Sequence, residues 1–465
     1  MHSRGLKICG FLGYIAACLG LFYLAHSHPA YFSNSAYLGG LIFLQLLLAS
    51  LWKFRQAFFV FLMIAFVWAG VDLPLKEAWI AGRWVVLAMG SVIGFAIYVR
   101  DRRYRFVSFH LVALLCVVIA FFSAMVSAAP WVALLKAASQ LILFLYASSG
   151  GRLAILGREA QFLRGLLLAC EMIVYVTAVA YLLFGLQTWG NPNSLGLVMG
   201  VVMCPLLLWG LLVSETRPLR WRRAFVLLLA LILLALSLSR ASIVAAVVSM
   251  VVLCFLLRRH KLLLQGTAVV LCVISGLAIL APSRLDEFRS ASSSTLVYKG
   301  KREMGLMGSR RTPWQRATQA IGEHPWFGAG FGTIVSGDET QPAVKFASNR
   351  TITRESGNSY LAILEWMGLL GVIPFYGIVL FLLARIVRVA RWIYFCGDAH
   401  YAGLPIMLVL AAGLVNAFFE DWLFAVGYYM CIFFWTLAFA LIDLVPVTAN
   451  AVVQNSDPWP VPVRA

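Results

Sequence analysis

Long apolar runs, separated by short polar connections, make up most of this sequence. A helix that spans a membrane needs about 20 mainly apolar residues. By that criterion we predict fourteen spanning helices, or twelve to thirteen if the shortest runs do not cross, at 6–25, 36–52, 57–71, 79–99, 106–128, 130–147, 164–185, 193–213, 223–239, 241–257, 261–281, 359–384, 402–418 and 422–446. The predicted fold class is an all-α, polytopic membrane protein with about 12–14 transmembrane helices.

Basic residues alternate along the connections between these runs. Counted from a cytoplasmic N-terminus, each even-numbered connection carries basic residues, such as the clusters at 100–105 and 217–223. The short odd-numbered connections nearly lack Lys and Arg. Because cytoplasmic loops collect these residues, the pattern predicts that both termini are cytoplasmic.

One long polar segment, 282–357, interrupts the pattern and is predicted to lie outside the cytoplasm. It divides the chain into a first transmembrane bundle at 1–281 (helices 1–11), the loop itself, a second bundle at 358–446 (helices 12–14), and a proline-rich cytoplasmic tail at 447–465 that we predict to be disordered. The loop holds more basic than acidic residues, and the topology rule weakens for loops longer than about 60 residues. This excess is either the ordinary charge of a solvated loop or a surface for an anionic ligand.

Composition agrees with a membrane protein and excludes other classes. Of 465 residues, 62% are hydrophobic and 12% are charged, whereas a soluble domain carries about 25% charged residues. The net charge is +18, but the basic residues form no single patch, which argues against nucleic-acid binding. The nine cysteines lie mostly in apolar segments, without CxxC or His-rich spacing, so we predict neither a disulfide framework nor a metal site.

Arg240 lies in a junction between two apolar runs, on the side where the topology disfavours basic residues. Two interpretations remain open. The side chain either extends to the membrane interface or directs its planar guanidinium at a phosphate.

Two further motifs lie in the long loop. Arg310-Arg311-Thr312-Pro313-Trp314 leads into a predicted short amphipathic helix at 313–321, lying on the membrane. Such a helix does not exclude phosphate binding by the arginines. The stretch at 324–332 is rich in glycine and turn residues, and we interpret it as structural.

The apolar run that follows the loop begins near Asn358 or Ser359, either of which suits the N-cap of a helix. The positive end of that helix would attract an anion. Glu365 lies about two turns into the run, where an acid is expected to face the bundle interior and to have a partner. Glu420 and Asp421 form an acidic pair in the last short connection. We favour solvated carboxylates there over cation or sugar binding.

Taken in order, these motifs resemble the bacterial O-antigen ligase and Wzy-type polymerase family of integral membrane glycosyltransferases. The resemblance covers roughly residues 190–385, and the first half of the chain contributes only hydropathy. It rests on Ser239-Arg240 before a small-residue helix, Arg310 to Trp314 leading into His-Pro-x-x-Gly-x-Gly-x-Gly at 324–332, Asn-Ser-Tyr-Leu followed by Glu-x-x-Gly-x-x-Gly at 358–371, and the single large loop between late helices.

The resemblance implies a polymerase in the bacterial inner (cytoplasmic) membrane. Such an enzyme joins undecaprenyl-diphosphate-linked repeat units into a surface polysaccharide, which is an O-antigen, a capsule or an exopolysaccharide. Donor and acceptor are both lipid-linked glycans, and membrane lipids and a chain-length regulator are further partners. The implied chemistry needs no cofactor and no metal, and it inverts the anomeric centre. Arginines in a water-poor site would stabilise the leaving diphosphate.

The resemblance also implies roles for particular residues. Arg240, Arg311 and Glu355 are the expected catalytic residues, with Glu355 as the base. The expected diphosphate- and substrate-binding residues are Arg240, Arg310, Arg311, Arg354, Asn358 and Tyr360.

One position departs from the family pattern. The ligases typically carry a histidine before the asparagine, whereas this chain has Gly357, which cannot take a proton. The departure favours a polymerase over an O-antigen ligase that transfers glycan to lipid A-core. A lipid-linked oligosaccharide transporter is the third alternative, but a transporter should place charged residues deep in several helices. This chain has few such residues: Arg83, Lys136, Glu171 and Glu365.

Overall fold

The structure is a computed structural model that describes residues 55–70, 76–100, 106–185, 189, 191–262, 264–266, 268, 308–333 and 357–446. By its internal contacts the chain forms two units, residues 1–58 and 59–465. Of the first unit only residues 55–58 are described, and they begin the first helix. Within the described ranges, every regular element is a helix.

The described helices are numbered here in chain order. They are α1 (Arg55–Gly70), α2 (Lys76–Arg100), α3 (Ser108–Met125), α4 (Pro130–Tyr146), α5 (Arg152–Ile155), α6 (Glu159–Phe184), α7 (Pro192–Leu197), α8 (Cys204–Leu212), α9 (Arg217–Leu236), α10 (Arg240–Leu256), α11 (Gly308–Glu323), α12 (Ser359–Cys396), α13 (Gly403–Ala417) and α14 (Tyr429–Asp443). Two π-helical segments, Ala147–Gly151 and Val198–Met203, join α4 to α5 and α7 to α8.

The prediction of an all-α, polytopic membrane protein is confirmed. Six helical segments of the described residues are long and apolar enough to cross a membrane, and α1, α10, α13 and α14 are apolar but shorter. Each predicted span that falls on described residues overlaps a helix, but two bounds differ: α12 continues past 384 to Cys396, and α14 begins at Tyr429 rather than at 422. Residues 422–428 belong instead to the connection between α13 and α14. The spans at 6–25 and 36–52, most of the span at 261–281, much of the long loop and the tail at 447–465 lie outside the described residues.

Burial separates a protein core from a lipid-facing shell. α13 and α14 are buried along nearly their whole length, and most of the span Pro192–Leu212 is buried as well. Helices that are apolar on every face belong either in a protein core or in a membrane. α2 and α6, in contrast, expose much of their apolar surface, which is suited to contact with lipid tails.

Contacts define two ends of the bundle. At the loop end, the connection 418–428 contacts α7 and α11 and the start of α12. At the basic end, Arg152 of α5 forms a bidentate pair with Asp443, with N–O distances of 2.6 and 2.7 Å, and hydrogen-bonds to Tyr98 and His110. α14 runs from the loop end at Tyr429 to the basic end at Asp443.

α12 is broken at Gly368, which adopts φ +59°. The stretch 325–330 of the long loop fills the break. Four backbone hydrogen bonds join the two segments: Ala329 N–H to Glu365 C=O (2.8 Å), Gly330 N–H to Trp366 C=O (3.0 Å), Leu369 N–H to Pro325 C=O (2.8 Å) and Leu370 N–H to Trp326 C=O (3.2 Å). Buried backbone groups must be paired, above all within a membrane. This arrangement agrees with the structural interpretation of 324–332.

Side chains from α3, α4 and the turn between them hold the inserted stretch from the other side. Ser123 donates to the carbonyl of Phe327 (2.9 Å), Ser127 donates to that of Ala329 (2.9 Å), and the Lys136 ammonium donates to that of Gly332. The stretch is therefore packed between α3, α4 and α12, and it ties the long loop to the helix on which the candidate site begins.

α11 differs in detail from the predicted helix at 313–321. It begins at Gly308, so that Pro313 lies inside the helix rather than in its first turn. Ala317 and Ala320 are buried, and α11 packs against α12.

Candidate functional site

Arg310 and Glu420 form an ion pair at the loop end. Nη2 of Arg310 lies 2.8 Å from Oε1 of Glu420, and the side chains are 17% and 21% exposed. The two residues are 110 positions apart in the chain. The pair joins the first turn of α11 to the connection between α13 and α14. Both side chains are largely shielded from water but remain partly exposed.

The backbone of Glu420 is fixed by neighbouring helices. Its carbonyl accepts hydrogen bonds from the N–H (3.1 Å) and the Oγ (2.6 Å) of Ser359, and its N–H donates to Asn416 C=O (3.1 Å). The fold thus holds the backbone that carries the Glu420 side chain. The interpretation of Glu420 as merely solvated was wrong, because its carboxylate pairs with Arg310.

Gly357 lies directly against Arg310. It adopts φ +60°, and a Cβ built there would come within 2.3 Å of Nη1 of Arg310. Residues with side chains rarely adopt this left-handed conformation, whereas glycine does so at no steric cost. The position thus lets the Arg310 guanidinium reach the start of α12.

Asn358 is the N-cap of α12, as the sequence predicted. Its Oδ1 accepts hydrogen bonds from the N–H groups of Tyr360 (2.9 Å) and Leu361 (3.1 Å). The N–H of Ser359 donates to the carbonyl of Glu420. These bonds occupy donors that the start of a helix normally leaves open. An anion at this point would be held mainly by side chains rather than by the helix N-terminus.

The Tyr360 side chain points into the bundle. Its hydroxyl donates to Leu414 C=O at 3.0 Å, and its ring lies 4.4 Å from that of Phe418. Tyr360 therefore ties α12 to α13 beneath the ion pair.

The start of α10 approaches the same connection through Asn416. This amide is fully buried; its Nδ2 lies 3.2 Å from Ser242 Oγ, and its Oδ1 accepts from Trp422 Nε1 at 2.8 Å. Arg240, half-buried, is the first residue of α10, two positions before Ser242. The buried amide therefore links the helix of Arg240 to the connection that carries Glu420.

The junction before Arg240 is tightly constrained. Leu238 has φ +53°, which is uncommon for a residue with a side chain and is typically stabilised by its surroundings. Gly196 allows the close approach of α7, since a Cβ there would lie 2.4 Å from Cβ of Ser239. The direction in which Arg240 leaves the junction is thus set by packing.

Hydroxyl groups gather on the other side of Glu420. Tyr428 Oη lies 3.1 Å from both Ser194 Oγ and Tyr429 Oη. Burial raises the pKa of Tyr428 to about 12, and the negative charge of Glu420 adds to the rise. Tyr428 consequently remains a neutral hydrogen-bonding group at physiological pH.

The structure brings Arg310 of α11 next to the start of α12, which carries Asn358 and Tyr360. Arg240 lies at the start of a different helix, α10, whose Ser242 contacts Asn416. Arg311 lies exposed on α11. Arg354 and Glu355 lie outside the described residues.

Two polar residues of the site were missed from the sequence. Asn416 is a polar residue in an apolar run, a signal of the kind that marks functional or paired positions in membrane helices. Glu420 was noticed but not assigned to the site, since its partner is 110 positions away. Within the described residues, no group of three or more His, Cys, Asp or Glu side chains could hold a metal ion.

The deep charged residues Arg83, Lys136 and Glu171 make contacts that join parts of the fold. Arg83 donates to Gly427 C=O (2.9 Å), Lys136 donates to Gly332 C=O, and Glu171 pairs with Arg222 (3.0 Å) and Arg223 (3.6 Å). Glu365 is buried, as predicted, and its backbone carbonyl serves the inserted stretch.

These features define a multi-pass membrane protein with a partly buried, arginine-containing site at one end of its helical bundle. Residues 225–376 match the family model described as O-antigen ligase, Wzy_C. The match confirms the resemblance drawn from the motifs and includes Arg240, α11 and the start of α12. No curated protein matches the chain.

Proposed function

We propose that the protein is a polymerase that joins undecaprenyl-diphosphate-linked oligosaccharide repeat units at the outer face of the bacterial inner membrane. The observation that carries the proposal is the Arg310 guanidinium, held against Gly357 at the start of α12 and paired with Glu420. The family match supports the class of enzyme. The choice of polymerase rests on the site itself.

The reaction needs a cation at the leaving group. A hydroxyl at the non-reducing end of the acceptor attacks the anomeric carbon of the donor glycan. The bond from that carbon to the diphosphate oxygen breaks, and undecaprenyl diphosphate leaves with the electron pair. Arginine suits this role because its planar fork binds phosphate oxygens in pairs. Arg310 and Arg240 are our candidates, with Arg311 and Arg354 as further cations.

The reaction also needs an acceptor for the hydroxyl proton, and Gly357 cannot supply one. Glu420 is a carboxylate that the fold places beside Arg310, and Glu355 remains a second candidate. In the resting state Glu420 also positions Arg310. Asn358 would contact substrate through Nδ2, since its Oδ1 caps α12.

A second function of the same class is favoured by the description of the matched family. An O-antigen ligase would pass the finished glycan to lipid A-core rather than to another repeat unit. The leaving group and its arginines would be the same, and only the acceptor would differ. Gly357, where the ligases typically carry a histidine, is the reason to prefer the polymerase.

A transporter is a weaker proposal. Arg83 and Lys136 donate to backbone carbonyls, and Glu171 pairs with an arginine. These contacts join separate segments of the fold. Deep charged residues of a transporter are expected to line a path through the membrane.

Reconstitution separates these functions. The full-length protein is purified in detergent and given undecaprenyl-diphosphate repeat units of its own organism, without ATP or sugar nucleotide. A ladder at repeat-unit spacing supports the polymerase. Product that forms only when lipid A-core is added supports the ligase. No product with either acceptor argues against both enzymes.

A further inference from the structure

Arg83 lies near the loop end of α2 and contacts the same connection that carries Glu420. Its Nη1 donates to the carbonyl of Gly427 at 2.9 Å. The guanidinium carbon lies 5.5 Å from the centre of the Phe66 ring and 5.2 Å from that of Trp84. The connection 418–428 is therefore held by two arginines, Arg310 at Glu420 and Arg83 at Gly427.

Arg83 differs from the structural arginines of this chain in having no acidic partner among the described residues. Arg152 has a bidentate carboxylate, and Arg223 lies 3.6 Å from a carboxylate oxygen of Glu171. Nε of Arg83 is buried without a hydrogen-bond acceptor, as is Nε of Arg223, but Arg223 has the nearby carboxylate of Glu171. The only hydrogen bond of its guanidinium to described residues comes from Nη1. Arg83 is half-buried, and a guanidinium withdrawn from water is costly unless an anion compensates it.

Hydroxyl groups and aromatic rings cluster next in the chain to Gly427, the residue that Arg83 contacts. Gly427 is followed directly by Tyr428, whose hydroxyl lies 3.1 Å from those of Ser194 and Tyr429. The ring of Trp189 lies 5.9 Å from that of Tyr429. Aromatic rings offer apolar faces with polar edges, and a few convergent polar groups among such rings are typical of small-molecule sites.

We propose that Arg83, with the hydroxyl cluster of Ser194, Tyr428 and Tyr429, forms a second subsite that binds an oxyanion on the glycan substrate. The inference rests on the proposed function for its ligand class. The oxyanion is a carboxylate on a sugar ring or a phosphate, and the phosphate is either a substituent or the lipid diphosphate. The subsite lies seven residues along the connection from Glu420, so it would select substrates beside the Arg310 centre.

Ligand-induced thermal stabilisation tests the subsite without any turnover. Three probes are titrated into the purified full-length protein: inorganic pyrophosphate, an oligosaccharide that contains glucuronate, and a neutral oligosaccharide of the same length. A ligand that binds only the folded state raises the melting temperature, and at a given concentration a tighter ligand raises it more. We expect at least one anionic probe to bind tenfold or more tightly than the neutral one. Preference for pyrophosphate identifies a phosphate subsite, and preference for the glucuronate probe identifies an acidic-sugar subsite.

Variants assign the binding to Arg83. Arg83→Gln should weaken the preferred anionic probe about tenfold or more, the range expected when one charge-assisted pair is lost, whereas Arg83→Lys should retain part of the affinity. Arg388→Gln, an exposed arginine at the basic end, is the matched control and should bind like the wild type. Tyr428→Phe should weaken the glucuronate probe more than pyrophosphate.

Two results would overturn the subsite. The first is a wild-type protein that binds no anionic probe better than the neutral one. The second is an Arg83→Gln protein that is less stable but binds the probes unchanged, which would make Arg83 only a clamp on the connection. Because binding is read without turnover, these results are separate from the polymer ladder. Anion binding can persist when no polymer forms, and polymer can form when Arg83 binds nothing.

Discussion

The guanidinium of Arg310 occupies the space into which a side chain at Gly357 would project, with only 2.3 Å between Nη1 and the Cβ position. The two residues are therefore sterically complementary, because the absence of a side chain at position 357 leaves room for the Arg310 guanidinium. The same contact gives a physical reason why position 357, next to Asn358, is a glycine.

Substitution of Gly357 should disrupt Arg310. Gly357→Ala forces a side chain into a left-handed conformation, which costs about 1–3 kcal/mol, and displaces the guanidinium from Glu420. We expect polymer formation to fall about 10- to 100-fold, because a displacement of about 1 Å can cost that much in rate. Gly322→Ala on α11, where nothing lies within 4 Å of the new Cβ, is the control. Equal activity of the two variants in the reconstituted assay would contradict the role of Gly357.

Removal of either member of the Arg310–Glu420 pair should reduce activity, but for different physical reasons. Arg310→Ala removes the proposed donor to the leaving diphosphate, and we expect a loss of about 10²–10³ in rate. Glu420→Gln leaves Arg310 in place but loosens it, and removes a candidate base. Arg316→Ala, an exposed arginine on the same helix, should stay near wild-type activity. The measurement is the rate of each of the three variants at saturating substrate. An Arg310→Ala protein with wild-type activity would exclude Arg310 from the reaction.

The break in α12 should be intolerant of any side chain. A Cβ at Gly368 would lie 2.5 Å from the backbone carbon of Trp326, so Gly368→Ala must displace the inserted stretch and its four hydrogen bonds. We expect a loss of more than about 2 kcal/mol of stability. Gly377→Ala in the same helix meets only Val112 at 3.8 Å and should be neutral. Melting temperatures in detergent compare the two, and equal values would mean that the stretch is not anchored at Gly368.

The Arg152–Asp443 pair should contribute stability rather than chemistry. The Arg152 side chain is fully buried, whereas that of Asp443 is 24% exposed. Asp443→Leu therefore leaves a buried charge without its carboxylate and should cost about 3–5 kcal/mol. Arg152→Met should cost less, because water can reach the remaining carboxylate. Thermal unfolding of both variants and of the double variant tests this order, and the double variant should be more stable than Asp443→Leu alone.

The helical framework could be predicted because lipid imposes it locally. A run such as 403–417 must be helical if it crosses a bilayer, since each backbone group has to find its partner within the segment. The N-cap at Asn358 is local in the same sense, because its Oδ1 bonds to groups two and three residues ahead. The break at Gly368 had no such signal, because glycine is common within membrane helices.

The sequence by itself therefore determined the class of protein, the approximate positions of most of the described helices and the family resemblance of its late motifs, all of which depend on short-range hydropathy and spacing. Only the tertiary structure decided which carboxylate meets which arginine. Glu420 and Arg310 are 110 residues apart, and their contact requires α11, α12 and α13 to be packed together. It likewise decided that Arg83 stands beside Gly427, 344 positions away. Pairing between distant charges follows from packing, and packing is a property of the whole bundle rather than of any one segment.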